Sequence, residues 1–524
     1  MDSVTAPRRS LIRAFMASSV GTAISRVFGL ARELALANVL GAGLVMDAFV
    51  MAFTFPGMLR RFVADEGLTG ALVPAVARAE AEEGAEAAIA LSGRTLFALI
   101  VTGIVISIAG IALAPWLVDW VADGFTGEKY DLTVQLTRVL FPFVAFVSLV
   151  SWAEGLLNHR EHYFVPKIAP GIVSAAVVVA VLVGDQSNPI DLVWTVCWAI
   201  LAGGAVHAAV CIPPLLRHWG PIRPRFDALN DSRFRGVLSE MGKVAVIGVM
   251  AQVNTLVLRY IASQLEEGSV TWYWNATRLV DFAQGIIAVG VGSALLPAIS
   301  DAVARRDGDG FRGAVLASTR LACVLLIPVA AFIALYPTEV VAFLYRHGAY
   351  EWGDVEQTAS TLAMLVPFML ALAGIQIIKK PFFAMNRRGA LIGVGVIGVG
   401  LTTGLGLWLA PLLGVHGLAL ALSISVTAQL AAYAALLRGM VPGGLGLTGL
   451  AMPIGKIGIA AGVAVGAAYP FMAMGTWTDG PSLGNALVLV GAGTVFSGIY
   501  AVAAGTLGIE EIQTIGQKIR QRLS

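Results

Sequence analysis

Long apolar runs, each closed by a short polar stretch, repeat along nearly the whole chain. A helix needs about 20 residues to cross the roughly 30 Å hydrocarbon core of a bilayer. On that measure the runs predict spans over residues 12–39, 44–66, 88–115, 131–158, 164–184, 190–216, 233–264, 269–303, 311–343, 355–383, 389–411, 414–437, 450–474 and 482–507. The expected fold class is therefore an all-α polytopic membrane protein of about fourteen transmembrane helices. The stretch 389–437 is nearly continuous and is read as two spans.

Composition strengthens this picture. Of 524 residues 57% are hydrophobic and only 13% charged, where a soluble chain carries about 25% charged residues. Fifty-nine glycines and 22 prolines scattered through apolar runs suit membrane helices, which tolerate both. Cys197, Cys211 and Cys323 each stand alone in an apolar segment, so neither a disulfide framework nor a metal site is expected. The first run lacks a clear cleavage site and reads as a retained span.

Lys and Arg near span ends give the orientation. Even-numbered connections collect Arg160 and Lys167; then Arg217, Arg223, Arg225, Arg233 and Arg235; then Arg305, Arg306 and Arg312; then Lys379, Lys380, Arg387 and Arg388. Both chain ends are basic too, whereas odd-numbered connections hold little beyond Lys129 and Arg346 and lean acidic. Both termini are thus expected in the cytoplasm. "GALVPAVA" at 70–77 and "SALLPAIS" at 293–300 end the second and eighth spans on the same side. They predict a parallel six-plus-six repeat, as in secondary transporters. The expected divisions are an N-terminal lobe over 1–225, a C-terminal lobe over 226–440, and a segment over 441–524 with two added helices and a basic tail.

Some chemistry can be set aside. "GVGVIG" at 393–398 and "GLGLTG" at 444–449 lie in or beside spans, without the strand a dinucleotide fingerprint requires. There is no phosphate-loop motif and no sizeable soluble domain, so ATP hydrolysis is not expected and the chain is read as a transporter rather than an enzyme. His207, alone on an apolar span, reads as a packed histidine. Gly458, Gly462 and Gly466 share one helix face and read as a close-packing stripe.

The informative residues are charges inside spans, which cost roughly 2.5–3.5 kcal/mol each on insertion scales and face a partner or a polar cavity. The first span holds Arg26, Arg32 and Glu33, the second Asp47 and Arg60–Arg61, and the eighth Arg278 and Asp281. Five arginines stand against three carboxylates in this set. Arg278 and Asp281 are spaced to pair along a helix, and Arg60 and Arg61 can also be read as boundary anchors that snorkel. An arginine excess suits a phosphate group, because guanidinium forks match phosphate oxygens and stay charged. Gly29 and Pro56 are places where the first two helices are expected to bend. An amphiphile with a phosphate head fits such a cavity.

These residues lie in motifs that resemble a known family. "SRVFGLARE" at 25–33, "GAGLVMDAFVMAFTFPGMLRRFVADEG" at 41–67, "ALVPA" at 71–75, "LNHREHYFVPKIAP" at 157–170 and "SVTWYWNATRLVDFAQGIIAVGVGSALLPAIS" at 269–300 resemble the MurJ (MviN) lipid II flippases of the MOP exporter superfamily. The resemblance runs in order through the first twelve spans. It implies fourteen helices, with two six-helix lobes around a cationic cavity and the last two helices beside a lipid groove. It further implies a multi-pass protein of the bacterial cytoplasmic membrane serving peptidoglycan synthesis. The substrate would be undecaprenyl-pyrophosphate disaccharide-pentapeptide, moved from the inner to the outer leaflet by alternating access. Arg26, Arg32, Arg60 and Arg278 would hold the pyrophosphate, while Asp47, Glu33, Arg61 and Asp281 would gate the cavity or balance its charge. No cofactor or metal is expected; coupling to the membrane potential or to a monovalent cation is. Expected company comprises lipid II, membrane lipids and cell-wall synthesis proteins, without nucleic acid.

Two departures stand out. Thr277 occupies a position just before Arg278 where the family often has an acid, and "AMNRRGA" at 384–390 replaces an Asp-containing segment. The competing readings are a flippase for another polyprenyl-pyrophosphate saccharide and a cation-coupled multidrug exporter. The latter would line its cavity with carboxylates, against the arginine excess.

Overall fold

The computed structural model describes residues 6–60, 69–228, 231–285, 307–385, 387–440 and 446–513. Among the described residues every regular element is helical and there is no strand. The chain falls into two compact units, 1–270 and 271–524.

The first unit contains α1 (Ala6–Leu40), α2 (Leu44–Arg60), α3 (Thr69–Glu83), α4 (Ala85–Val121), α5 (Gly127–Leu140), α6 (Phe143–His159), α7 (Phe164–Ile168), α8 (Pro170–Val183), α9 (Pro189–Trp219) and α10 (Ser232–Ser263). Helix α11 covers 269–285 of the described residues, so the unit boundary falls in its first turn. The second unit continues with α12 (Gly308–Leu335), α13 (Pro337–Tyr345), α14 (Trp352–Met364), α15 (Val366–Ala384), α16 (Arg388–Leu413), α17 (Val415–Met440), α18 (Ala451–Met472) and α19 (Leu483–Thr506).

Local chemistry sets the ends. Asn188, Asp231, Asp307 and Ser482 cap α9, α10, α12 and α19 by accepting from backbone N–H groups of the first turn, which otherwise have no partner. Four runs predicted as single spans are each two helices. The breaks fall at Pro142, Pro170, Pro337 and the Val366–Pro367 step, since proline has no N–H to continue the preceding ladder. Conversely, α1 runs unbroken through Gly29 and α2 through Pro56.

Among the described residues ten segments are long and apolar enough to cross a membrane, and each coincides with a predicted span. The four predicted spans outside this set are 12–39, 44–66, 233–264 and 269–303. Helices α1 and α10 have the length but carry the charges; α2 is apolar over Leu44–Leu59 but short; only part of the last is described. Ions on α1 and α10 therefore account for two of the four differences.

In the first unit a core of Leu72, Val76, Leu91, Trp152, Leu156, Leu215 and Phe234 joins α3, α4, α6, α9 and α10. Both indoles in it are satisfied: Trp152 donates to the Ser92 carbonyl at 3.1 Å and Trp219 to that of Leu156 at 3.0 Å. Helix α4 is approached at Gly93, whose carbonyl accepts from Arg225 N–H at 3.1 Å, and the Arg223 carbonyl fills the place of a side chain. In the second unit α12, α18 and α19 pack through Val324, Ala460, Ala461, Ala464, Tyr500 and Ala504. The close-packing reading of Gly458, Gly462 and Gly466 is corrected here: a methyl placed on any of them meets nothing within 4 Å. The alanines of α18 make the contact, because they bury apolar area while still letting helices approach closely.

Candidate functional site

Each unit carries an arginine–carboxylate pair within a helix that lies outside the ten apolar segments. On α1, Arg32 Nη2 lies 2.5 Å from Glu33 Oε1; the Glu33 side chain is 5% exposed and that of Arg32 19%. Arg26, two turns earlier, is half-buried and makes no ion pair among the described residues. On α11, Arg278 Nη1 lies 3.5 Å from Asp281 Oδ2, with the aspartate 57% exposed and the arginine 27%. The guanidinium of Arg278 also stacks 3.8 Å from the ring centroid of Trp274. Thr277 turns away from it, its hydroxyl donating to the Trp274 carbonyl at 2.8 Å. The i, i+3 pairing expected for Arg278 is thus present.

Asp47, in the first turn of α2, is fully buried. It accepts from Lys129 Nζ at 2.7 Å and from Gly268 N–H at 2.9 Å. The exchange is mutual, since Glu267 Oε1 accepts from the Leu44 N–H at 2.9 Å and so caps α2. Gly268 has φ of 93°, a conformation L side chains avoid, and that turn aims its N–H at the carboxylate. Lys129 also sits 4.2 Å over the Phe125 ring. A buried carboxylate with an ammonium and a backbone donor is a satisfied ion, and it joins the starts of α2 and α5 to the turn before α11.

A second set of charges lies at the helix ends. Arg94 of α4 forks to Asp227 at 2.6 Å and to Asp231, the cap of α10. Arg94 beside Asp227 holds that carboxyl below its usual range. Burial pushes Asp231 upward, but the Arg233 N–H, Arg94 and Arg233 outweigh it and its pKa is lowered. On α3, Glu80 takes His159 at 2.7 Å and Arg160 at 2.8 Å; the His159 hydrogen bond first, and Arg160 with it, lowers the Glu80 pKa.

Of the predicted site residues, the first unit brings Arg32 onto Glu33 and holds Asp47 in a separate cluster, while Arg278 and Asp281 meet in the second unit. The Arg60 side chain and Arg61 lie outside the described residues. His207 is buried in α9, as read from sequence. The first glycine-rich match lies inside α16, without a strand. Sequence reasoning missed Lys129, Glu267 and Trp274. Lys129 was legible as one of two basic residues in odd-numbered connections that lean acidic, and Trp274 stands one helical turn before Arg278. The Glu267 cap, 223 positions from its partner, had no local signal.

Apolar helices long enough to cross a membrane, together with less apolar helices that carry guanidinium–carboxylate pairs, define a class: a polytopic membrane protein with ionised groups among its helices. Comparison narrows the class. The model of a family described as "Lipid II flippase MurJ" matches residues 36–480. A lipid II flippase MurJ of Burkholderia cenocepacia is 30% identical over 425 residues, covering 79% of this chain and 81% of that protein. Among solved structures, a lipid II flippase MurJ in an inward closed conformation matches with a TM-score of 0.78 at 18% identity, covering 95% of this chain and all of that one. An inward-facing multidrug resistance MATE transporter of the MOP superfamily matches at 0.66 and 16%, over 82% of this chain and 98% of that one. The chain belongs to the lipid II flippase MurJ family.

Proposed function

We propose that this chain carries lipid II across the cytoplasmic membrane, from the inner to the outer leaflet, for peptidoglycan synthesis. Family membership over most of the chain is the observation that carries this reading. In its finer form the protein has fourteen spans, α18 and α19 contributing the last two, with lobes over 1–225 and 226–440 that alternate access and both termini in the cytoplasm. Arg26, Arg32, Arg60 and Arg278 bind the pyrophosphate; Asp47, Glu33, Arg61 and Asp281 balance charge or gate. Cell-wall synthesis proteins are its expected neighbours.

The chemistry supports the assignment. A guanidinium offers forked donors to a phosphate and keeps its charge throughout transport. Moving an uncompensated negative charge outward across an inside-negative membrane is downhill by roughly 2.3 kcal/mol per 100 mV. The potential, or a monovalent cation, can therefore supply direction without ATP.

Purified protein offered lipid II and an undecaprenyl-pyrophosphate polysaccharide precursor, with complexes counted by native mass spectrometry, tests the reading. Lipid II is expected to bind selectively, and Arg278→Ala to weaken it about tenfold or more, the worth of a charged hydrogen bond. Equal binding of both lipids would reduce the chain to a general pyrophosphate-lipid carrier. In sealed vesicles, transport indifferent to an imposed potential would remove the electrical coupling.

A further inference from the structure

Helix α11 is held on one side and open on another. Trp272 Nε1 donates to Asp354 Oδ1 at 2.9 Å, and Asn275 Nδ2 to the Tyr350 hydroxyl at 3.3 Å, which in turn bonds Thr358. Asn275, Tyr350 and Thr358 are fully buried, so these links are shielded from water. They tie residues 272 and 275 to α14 and the turn before it. Trp274, Arg278 and Asp281 lie on another face, about 120° around the axis at 100° per residue. Trp274 and Arg278 are half-buried and Asp281 is exposed, whereas Ala276, Leu279 and Val280 between them are buried.

An arginine on an accessible face has several staggered χ angles to choose from, and restricting them costs entropy. Two of the contacts of Arg278 lie on this face. The Trp274 ring covers one face of the guanidinium at 3.8 Å, a contact that uses the flat face of the cation and not its N–H edge. Asp281 takes Nη1 at 3.5 Å from a solvated position, a weak hold that an anion can displace. Thr277, where the family often has an acid, spends its hydroxyl on backbone and adds no carboxylate.

We propose that Trp274 is a positioning residue for pyrophosphate recognition: its indole face presets the Arg278 guanidinium, doing without charge what an acid at position 277 would otherwise do. An aromatic face orients the cation without neutralising it, so its positive charge stays available to phosphate. This inference rests on Arg278 being a pyrophosphate ligand.

The test is a double-mutant cycle on the full chain in detergent, reading lipid II affinity by native mass spectrometry and folding by thermal unfolding. The variants are Trp274→Leu, Trp274→Phe, Arg278→Ala and Trp274→Leu with Arg278→Ala. Trp274→Leu should weaken binding roughly 3- to 30-fold, the range of a cation–π contact, while Trp274→Phe, which keeps an aromatic face, recovers most of it. In the Arg278→Ala background Trp274→Leu should add no further loss. Full affinity in Trp274→Leu beside a loss in Arg278→Ala would overturn the positioning role and leave the substrate reading standing. Losses that add in the double variant, or a Trp274→Phe protein as weak as Trp274→Leu at unchanged melting temperature, would also overturn it. Full affinity in Arg278→Ala would instead overturn the ligand assignment on which the inference rests.

Discussion

The pairs Arg32–Glu33 and Arg278–Asp281 contain the same groups and are built for different ends. On α1 the carboxylate is buried and the ions touch at 2.5 Å; on α11 the carboxylate is mostly exposed, the separation is 3.5 Å, and an indole takes over the orienting. Removing one partner of a buried pair leaves an uncompensated charge that costs several kcal/mol, while an exposed pair contributes little and yields to competing ions. Position in the fold therefore decides which arginine is held tightly by its neighbouring carboxylate and which is held weakly by it. Asp47 with Lys129 follows the α1 pattern, a buried ion whose partners are already fixed.

Four measurements break or sharpen this contrast. Glu33→Ala should have the largest effect, destabilising the protein by about 3 kcal/mol because Arg32 loses its buried counter-ion; an unchanged melting temperature would erase the distinction. Asp47→Ala comes next, at about 2–3 kcal/mol, since it strands the Lys129 ammonium and the Gly268 N–H together. Asp47→Asn, which keeps an acceptor, should lose less, and faster hydrogen exchange at residues 264–268 should accompany both. Asp281→Asn should change stability by less than about 1 kcal/mol and leave lipid II binding equal or stronger. If it behaves like Glu33→Ala, the α11 pair is structural.

The smallest effect belongs to Glu80, a control at a helix end outside the apolar segments. Its folded pKa lies below its unfolded value because His159 and then Arg160 bind the carboxylate. The pair's stabilisation is therefore present above the unfolded pKa, about 4.3, and lost as pH falls through the folded value. Thermal unfolding from pH 6 down to 3 should drop more steeply for wild type than for Glu80→Gln, by an increment under about 1 kcal/mol. Parallel curves would show that the contact holds no free energy.

Much of this protein was legible in its order of residues. Apolar runs marked all ten crossing segments, because a bilayer demands about 20 apolar residues whatever the neighbours. The charges inside α1, α2 and α11 announced themselves for the same reason, and the Arg278–Asp281 pair followed from helical spacing. Prolines at 142, 170, 337 and 367 could have warned that four runs would be broken. Long-range pairing was beyond such reasoning. Only the folded chain brings Glu267 to the start of α2, turns Gly268 toward Asp47, buries Glu33 while exposing Asp281, and packs α18 through its alanines rather than its glycines. Sequence determines which residues are costly to bury, since that depends on the side chain alone; tertiary structure decides which are buried and beside whom, since that depends on every helix packed around them.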